Sequence, residues 1–91
     1  MHNLLAYLVE FVGTFVFLGV IMMSGGKAIP IGIALAATIL LGGAVSGGNF
    51  NPAVSVMMHL HGKLPLHTMI GYIVAQLLGA VAALKYYQAS H

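Results

Sequence analysis

Apolar residues fall into three long runs with no strict alternation and no one-sided helical stripe, the pattern of helices whose whole circumference is apolar. Leu4 to Met23 is a 20-residue run broken by one charge, Glu10. At 1.5 Å per residue such a run reaches about 30 Å, enough to cross a bilayer core. Ser24, Gly25, Gly26 and Lys27 end it with turn residues and a charge. Ile29 to Val45 is a second run, with Pro30 placed where a first helical turn tolerates it. Leu66 to Leu84 is the third, between Pro65 and Lys85. The start, MHNLLAYLVE, lacks the basic region of a secretory signal, so the first run reads as a retained span.

Between the second and third runs the pattern breaks. Ser46-Gly-Gly-Asn-Phe-Asn51 is made of turn formers and amides and predicts no helix. Asn51 followed by Pro52 is an N-cap followed by a first helical residue. Pro52 to Leu60 then makes roughly 13 Å of helix, half a membrane. Two placements are open for Ser46 to Lys63: an ordinary surface loop with an interfacial helix, or a re-entrant loop. Irregular backbone at membrane depth must be buried in protein or line a watery cavity. The tight cap after two glycines favours the re-entrant form. The predicted fold class is therefore all-α integral membrane, one unit over 1–91. Its three transmembrane helices lie at about 4–23, 29–45 and 66–84, with a re-entrant loop and half-helix at about 46–60.

Composition narrows the function. Hydrophobic residues make up 60% and charged residues 4%, with a mean hydropathy of +1.03; a soluble domain carries about 25% charged residues. With no cysteine, disulfides and thiolate chemistry are excluded. The three lysines form no basic cluster, so no nucleic-acid partner is expected. His59, His61 and His67 include a His-x-His, a weak metal signal with no carboxylate nearby. They read as polar residues at the membrane surface, and no metal, cofactor or enzymatic step is expected. With three spans, Lys63 shares a side with the N-terminus, while Lys27 and Lys85 share the other. The positive-inside rule then barely selects an orientation. That balance suits a chain inserting both ways up, or reflects nothing more than a shortage of charge.

The broken segment carries the candidate chemistry. A half-helix starting mid-membrane points free N–H groups and about +0.5 charge at the bilayer centre. Asn51 adds an amide donor there, at the start of Pro52-Ala53. Gly47 and Gly48 allow a backbone whose carbonyls face a pore as acceptors. Such a path suits a small, neutral, hydrogen-bonding solute and opposes cations. Glu10, the only acid, costs roughly 2.5–3.5 kcal/mol at a span centre and must find partners. Gln76 also needs a neighbour mid-span, and Tyr72 is a second candidate. Gly71, Ala75, Gly79 and Ala83 recur every four residues, a close-packing stripe that serves either within the chain or between chains.

Ser46-Gly-Gly-Asn-Phe-Asn-Pro-Ala-Val-Ser55, Glu10-Phe-Val-Gly-Thr-Phe15 and Gly71-Tyr-Ile-Val-Ala-Gln-Leu-Leu-Gly-Ala80 are three stretches to be read together. They resemble motifs of the major intrinsic protein family of aquaporins and glycerol facilitators. Their order and spacing match, over nearly the whole chain. The resemblance implies two inverted repeats of three spans and a half-helix, with a pore past both half-helices. This sequence holds one such repeat, the N-terminal half. It is expected either to be a fragment of a longer protein or to associate as an antiparallel homodimer, with higher assembly of dimers in the cell membrane.

The pore residues implied are Gly47, Gly48, Asn49, Phe50, Asn51, Pro52 and Ala53. Glu10 takes the role of a buried structural acid holding the loop through the backbone around Ser46 to Asn49. The family filter's aromatic and arginine have no counterpart here. Ile31 stands at the aromatic position, Val54 follows the motif, and Ile39 enters by pseudo-symmetry as a third constriction candidate. An aliphatic mouth favours water together with solutes such as glycerol or urea over strict water selectivity. The expected function is a passive channel for them. The alternatives are a nonconducting half-channel or accessory membrane protein, and a proton-coupled small exporter using Glu10.

Overall fold

The computed structural model describes residues 4–91. Four helices follow in order: α1 (Leu4–Met23), α2 (Ala28–Ser46), α3 (Pro52–Leu60) and α4 (Leu66–Ser90). Three of them are long and apolar enough to cross a membrane, and α3 is the short exception. The third span runs past its expected end at Leu84 to Ser90. Lys85 does not stop it, because a lysine at a span end reaches the interface along its own stem while Tyr86, Tyr87 and Gln88 continue the helix. At 25 residues α4 is about 37 Å long, which accounts for the 39 Å long axis of the protein.

Glycines end the helices as the turn pattern predicts. Gly25 and Gly26 have φ of 68° and 83°, and the Gly26 N–H reaches back to the Ile21 carbonyl at 3.1 Å. Gly47 closes α2 in the left-handed region, its N–H on the Gly43 carbonyl at 2.8 Å.

Helix α1 stands at the centre, packed on α2 to one side and on α4 to the other, while α3 packs on α4. Among the described residues the α2 backbone does not closely approach that of α3 or α4, and α4 reaches it only through the Tyr72 side chain at Ser46, so the side between α2 and α3 is open. The small-residue stripe of α4 serves the α1 contact. A Cβ on Gly71 would meet the Tyr7 ring at 2.6 Å, and one on Gly79 the Phe11 carbonyl at 2.8 Å. Ala75 and Ala83 are buried on the same face. The stripe is therefore spent inside the chain, where it lets the two backbones approach.

Burial is inverted relative to a soluble protein. The largest fully buried side chains are Phe50, Gln76, Glu10, Thr14 and Ser55, four of them polar. Leu40 and Leu41 are more than four-fifths exposed. Apolar groups lose nothing by facing lipid, whereas polar groups must find each other.

Candidate functional site

The polar interior is one connected network around Glu10, which is fully buried. Its Oε2 accepts from the Ser46 hydroxyl at 2.8 Å and the Asn49 N–H at 3.0 Å. Its Oε1 accepts from the Phe50 N–H at 2.8 Å and from Gln76 Nε2 at 2.9 Å. Four donors fill the acceptor capacity of one carboxylate. Around it, Ser55 Oγ accepts from Asn49 Nδ2 at 3.0 Å and from Gln76 Nε2 at 2.8 Å. The Gly48 N–H donates to Ser46 Oγ at 3.1 Å, and the Tyr72 hydroxyl to the Ser46 carbonyl at 2.6 Å. All four helices and the loop between α2 and α3 meet there.

These bonds place the loop in depth. Gln76 lies ten residues beyond Leu66, about 15 Å into α4, and it bonds Ser55 in the first turn of α3. At the other end of α3, His59 Nδ1 pairs with the Leu64 carbonyl at 2.7 Å, just before α4 begins. So α3 runs back along the first half of α4, with its N-terminus level with the middle of the spans. The surface-loop alternative would not bring Ser55 to Gln76; the short helix is re-entrant.

The loop residues divide between those turned inward and those left open. Gly47 and Gly48 take φ of 93° and 65°, a region a Cβ disfavours. Gly48 lies over α2, its Cβ direction 3.4 Å from Gly43 Cα and 3.5 Å from Ile39 Cα. The Asn49 side chain is buried and committed to Ser55, so it is not offered to a solute. Phe50 is 2% exposed, its ring inserted between α1 and α2 against Gly13 and Gly42.

Asn51 is exposed. Its Oδ1 caps α3 by accepting from the Ala53 N–H at 2.8 Å, and its NH₂ makes no hydrogen bond among the described residues. Pro52 and Val54 are half-buried on the first turn of α3, and Ala53 is exposed. Ile39 is 43% exposed beside the loop, whereas Ile31 is half-buried about 12 Å further toward the start of α2.

Ser55, Gly13 and Gly42 did not emerge from the sequence as members of this site. A signal for Ser55 exists: a hydroxyl in an apolar half-helix, four residues after Asn51. The two glycines inside apolar runs carry one as well, since a glycine weakens a helix unless something must approach it.

Three apolar spans and one re-entrant half-helix, held mid-depth by a buried carboxylate, define a polytopic membrane protein with its polar groups gathered on an interior loop. The model of the family described as major intrinsic protein matches residues 1–89. The chain belongs to the major intrinsic protein family, and is an integral membrane protein. It is 41% identical over 85 residues to glycerol uptake facilitator protein-like 6 of Lactiplantibacillus plantarum, covering 85% of this chain and 39% of that protein. It is 45% identical to aquaporin Z of Brucella melitensis biotype 1, covering 64% of this chain and 25% of that protein. A vertebrate relative, the lens fiber major intrinsic protein of Gallus gallus, is 44% identical over 57 residues, covering 63% and 22%. The chain thus spans less than half the length of these curated relatives. No solved structure matches it.

Proposed function

We propose that the chain forms a passive channel for water and small uncharged solutes of the glycerol class, as one half of a pore whose other half is an inverted second copy. The observation that carries this reading is Asn51. It is exposed at the N-terminus of a half-helix that begins mid-span, with its NH₂ unused among the described residues. Free N–H groups and the positive end of the helix dipole supply donors to a neutral solute and repel cations. The carbonyls of Gly47 and Gly48 supply acceptors leading to that point, and Pro52 and Ala53 shape the turn beside it. Ile31, Ile39 and Val54 form an aliphatic constriction without a fixed cation, which suits solutes larger than water.

One copy builds one wall. The side between α2 and α3 is open, so the path needs a facing loop. A second copy in the opposite orientation supplies it, and Lys63 against Lys27 and Lys85 gives little bias against mixed insertion. Dimers of this kind then assemble further in the bilayer.

The exporter reading is disfavoured by the surroundings of Glu10. A proton carrier exposes its acid to water in at least one state, whereas this carboxylate is enclosed by four donors.

Stopped-flow light scattering on proteoliposomes tests the function. Water and glycerol permeability above the lipid background, independent of a pH gradient, is expected. Background permeability at confirmed incorporation rejects the channel in favour of a nonconducting half. For the partner, the chain has no cysteine, so Ala53→Cys supplies a single thiol. It should form a disulfide between copies inside the bilayer, and Ala28→Cys, at one membrane surface, should not. Strong cross-linking through Ala28→Cys alone indicates parallel pairing and sinks the antiparallel arrangement.

A further inference from the structure

Phe50 is the one non-glycine residue among those described with a positive φ, 53°. The left-handed region is disfavoured for any residue with a Cβ, and persists where the surroundings over-determine it. Here they do so from two directions. The Phe50 N–H is held by Glu10 Oε1 at 2.8 Å. The ring fills a notch between two helices that Gly13 leaves open. A Cβ on Gly13 would overlap the ring at Cε1 and lie 2.6 Å from Cζ, whereas one on Gly42 would make ordinary contact with Cζ at 3.5 Å.

The geometry points to Phe50 as a positioning residue: its ring, seated between Gly13 and Gly42, sets how the loop presents the Asn49 carbonyl and Asn51 to the path, and so sets solute preference. The inference rests on the channel reading above. The link is the backbone dihedral. Without the seated ring, residue 50 relaxes to a negative φ, which turns the peptide before it by more than about 100° relative to Asn51. The Asn49 carbonyl then leaves its present direction, and Asn51, one residue on, shifts with the strained turn. The Glu10 bond opposes this, because the planar peptide sets the Asn49 carbonyl opposite the Phe50 N–H; the turn therefore breaks that bond and frees the amide to exchange. Simple core filling by Phe50 would cost stability when removed but leave conduction, per folded chain, with its normal solute ratio.

The test combines Phe50→Ala, Gly13→Ala and their combination, in folded, reconstituted full-length chain. Hydrogen exchange of the Asn49 and Phe50 amides reads the loop, and the glycerol-to-water permeability ratio reads the path. In Phe50→Ala the two amides should exchange at least about tenfold faster while the α1 and α4 amides stay protected, as expected for local opening. The permeability ratio should shift at least about threefold in the same variant. Gly13→Ala alone expels the ring and should reproduce both changes; added to Phe50→Ala it should change nothing further, since the notch is already empty.

An unchanged exchange rate and ratio in Phe50→Ala overturns the proposal, as does an equal effect of Gly13→Ala in both backgrounds. If Phe50→Ala does not fold, Phe50→Leu carries the same comparison. If the wild-type chain conducts nothing, the channel reading fails, and the exchange measurements still decide whether the ring holds the loop.

Discussion

Replacing Glu10 by Gln exchanges a single heavy atom, an oxygen for a nitrogen, and should still cost the protein much of its stability. Glu10 accepts four hydrogen bonds, two on each oxygen. A glutamine keeps one oxygen and turns the other position into a donor. If its oxygen stays with Phe50 and Gln76, its NH₂ faces the Ser46 hydroxyl and the Asn49 N–H. Ser46 can rotate to accept, but the Asn49 N–H cannot. If the amide is flipped, Gln76 can turn and present Oε1, which has no partner among the described residues, but the Phe50 N–H is left facing a donor.

Either way one buried backbone N–H loses its acceptor, a penalty of about 1–3 kcal/mol. The surviving bonds fall from charge-assisted to neutral, roughly halving each, which adds about 1–2 kcal/mol. Interhelical bonds in membranes average nearer 0.6 kcal/mol, so a total of about 2–4 kcal/mol is the working figure. Unfolding in mixed micelles followed by circular dichroism measures it, with size-exclusion monodispersity as a second readout. Wild-type stability in Glu10→Gln would show that the carboxylate does not hold the loop. Loss of transport at intact stability, with coupling to a pH gradient in the wild type, would instead restore the exporter reading.

Further expectations follow from single contacts. Gly79→Val inserts a side chain where even a Cβ lies 2.8 Å from the Phe11 carbonyl; it should push α1 from α4 and cost about 1–3 kcal/mol in the same unfolding assay. Tyr72→Phe removes the 2.6 Å bond to the Ser46 carbonyl and should cost about 0.5–1.5 kcal/mol without altering helix content by circular dichroism. Asn51→Ala removes the cap on the Ala53 N–H, about 1 kcal/mol of stability, and should also abolish water permeation above background in proteoliposomes. A reporter fused after His91 should be found on both sides of the membrane; a single location for all copies excludes mixed insertion.

Much of the architecture is legible along the chain because it is local. Run length alone marks the spans, and Asn51-Pro52 after two glycines marks the start of a half-helix through cap and proline chemistry. The need of Glu10 for partners follows from the cost of a charge in hydrocarbon, whatever the fold. What tertiary structure decided is which groups meet. Gln76 reaches Glu10 across 66 positions of sequence, and no periodicity encodes that pairing.

The same limit explains the loop. Asn49 and Phe50 read as path residues because their neighbours do, but the Asn49 side chain turns inward to Ser55 and the Phe50 ring fills a glycine notch. In a soluble chain, hydrophobic patterning would separate inside from outside. Here lipid is as apolar as the core, so the apolar pattern cannot tell a lipid-facing side chain from a buried one. The spans, the half-helix and the polar groups that must be satisfied follow from local residue chemistry along the chain. Only the packing of α1 against α2 and α4 decided which partners satisfy them, and left Asn51 exposed on the open side.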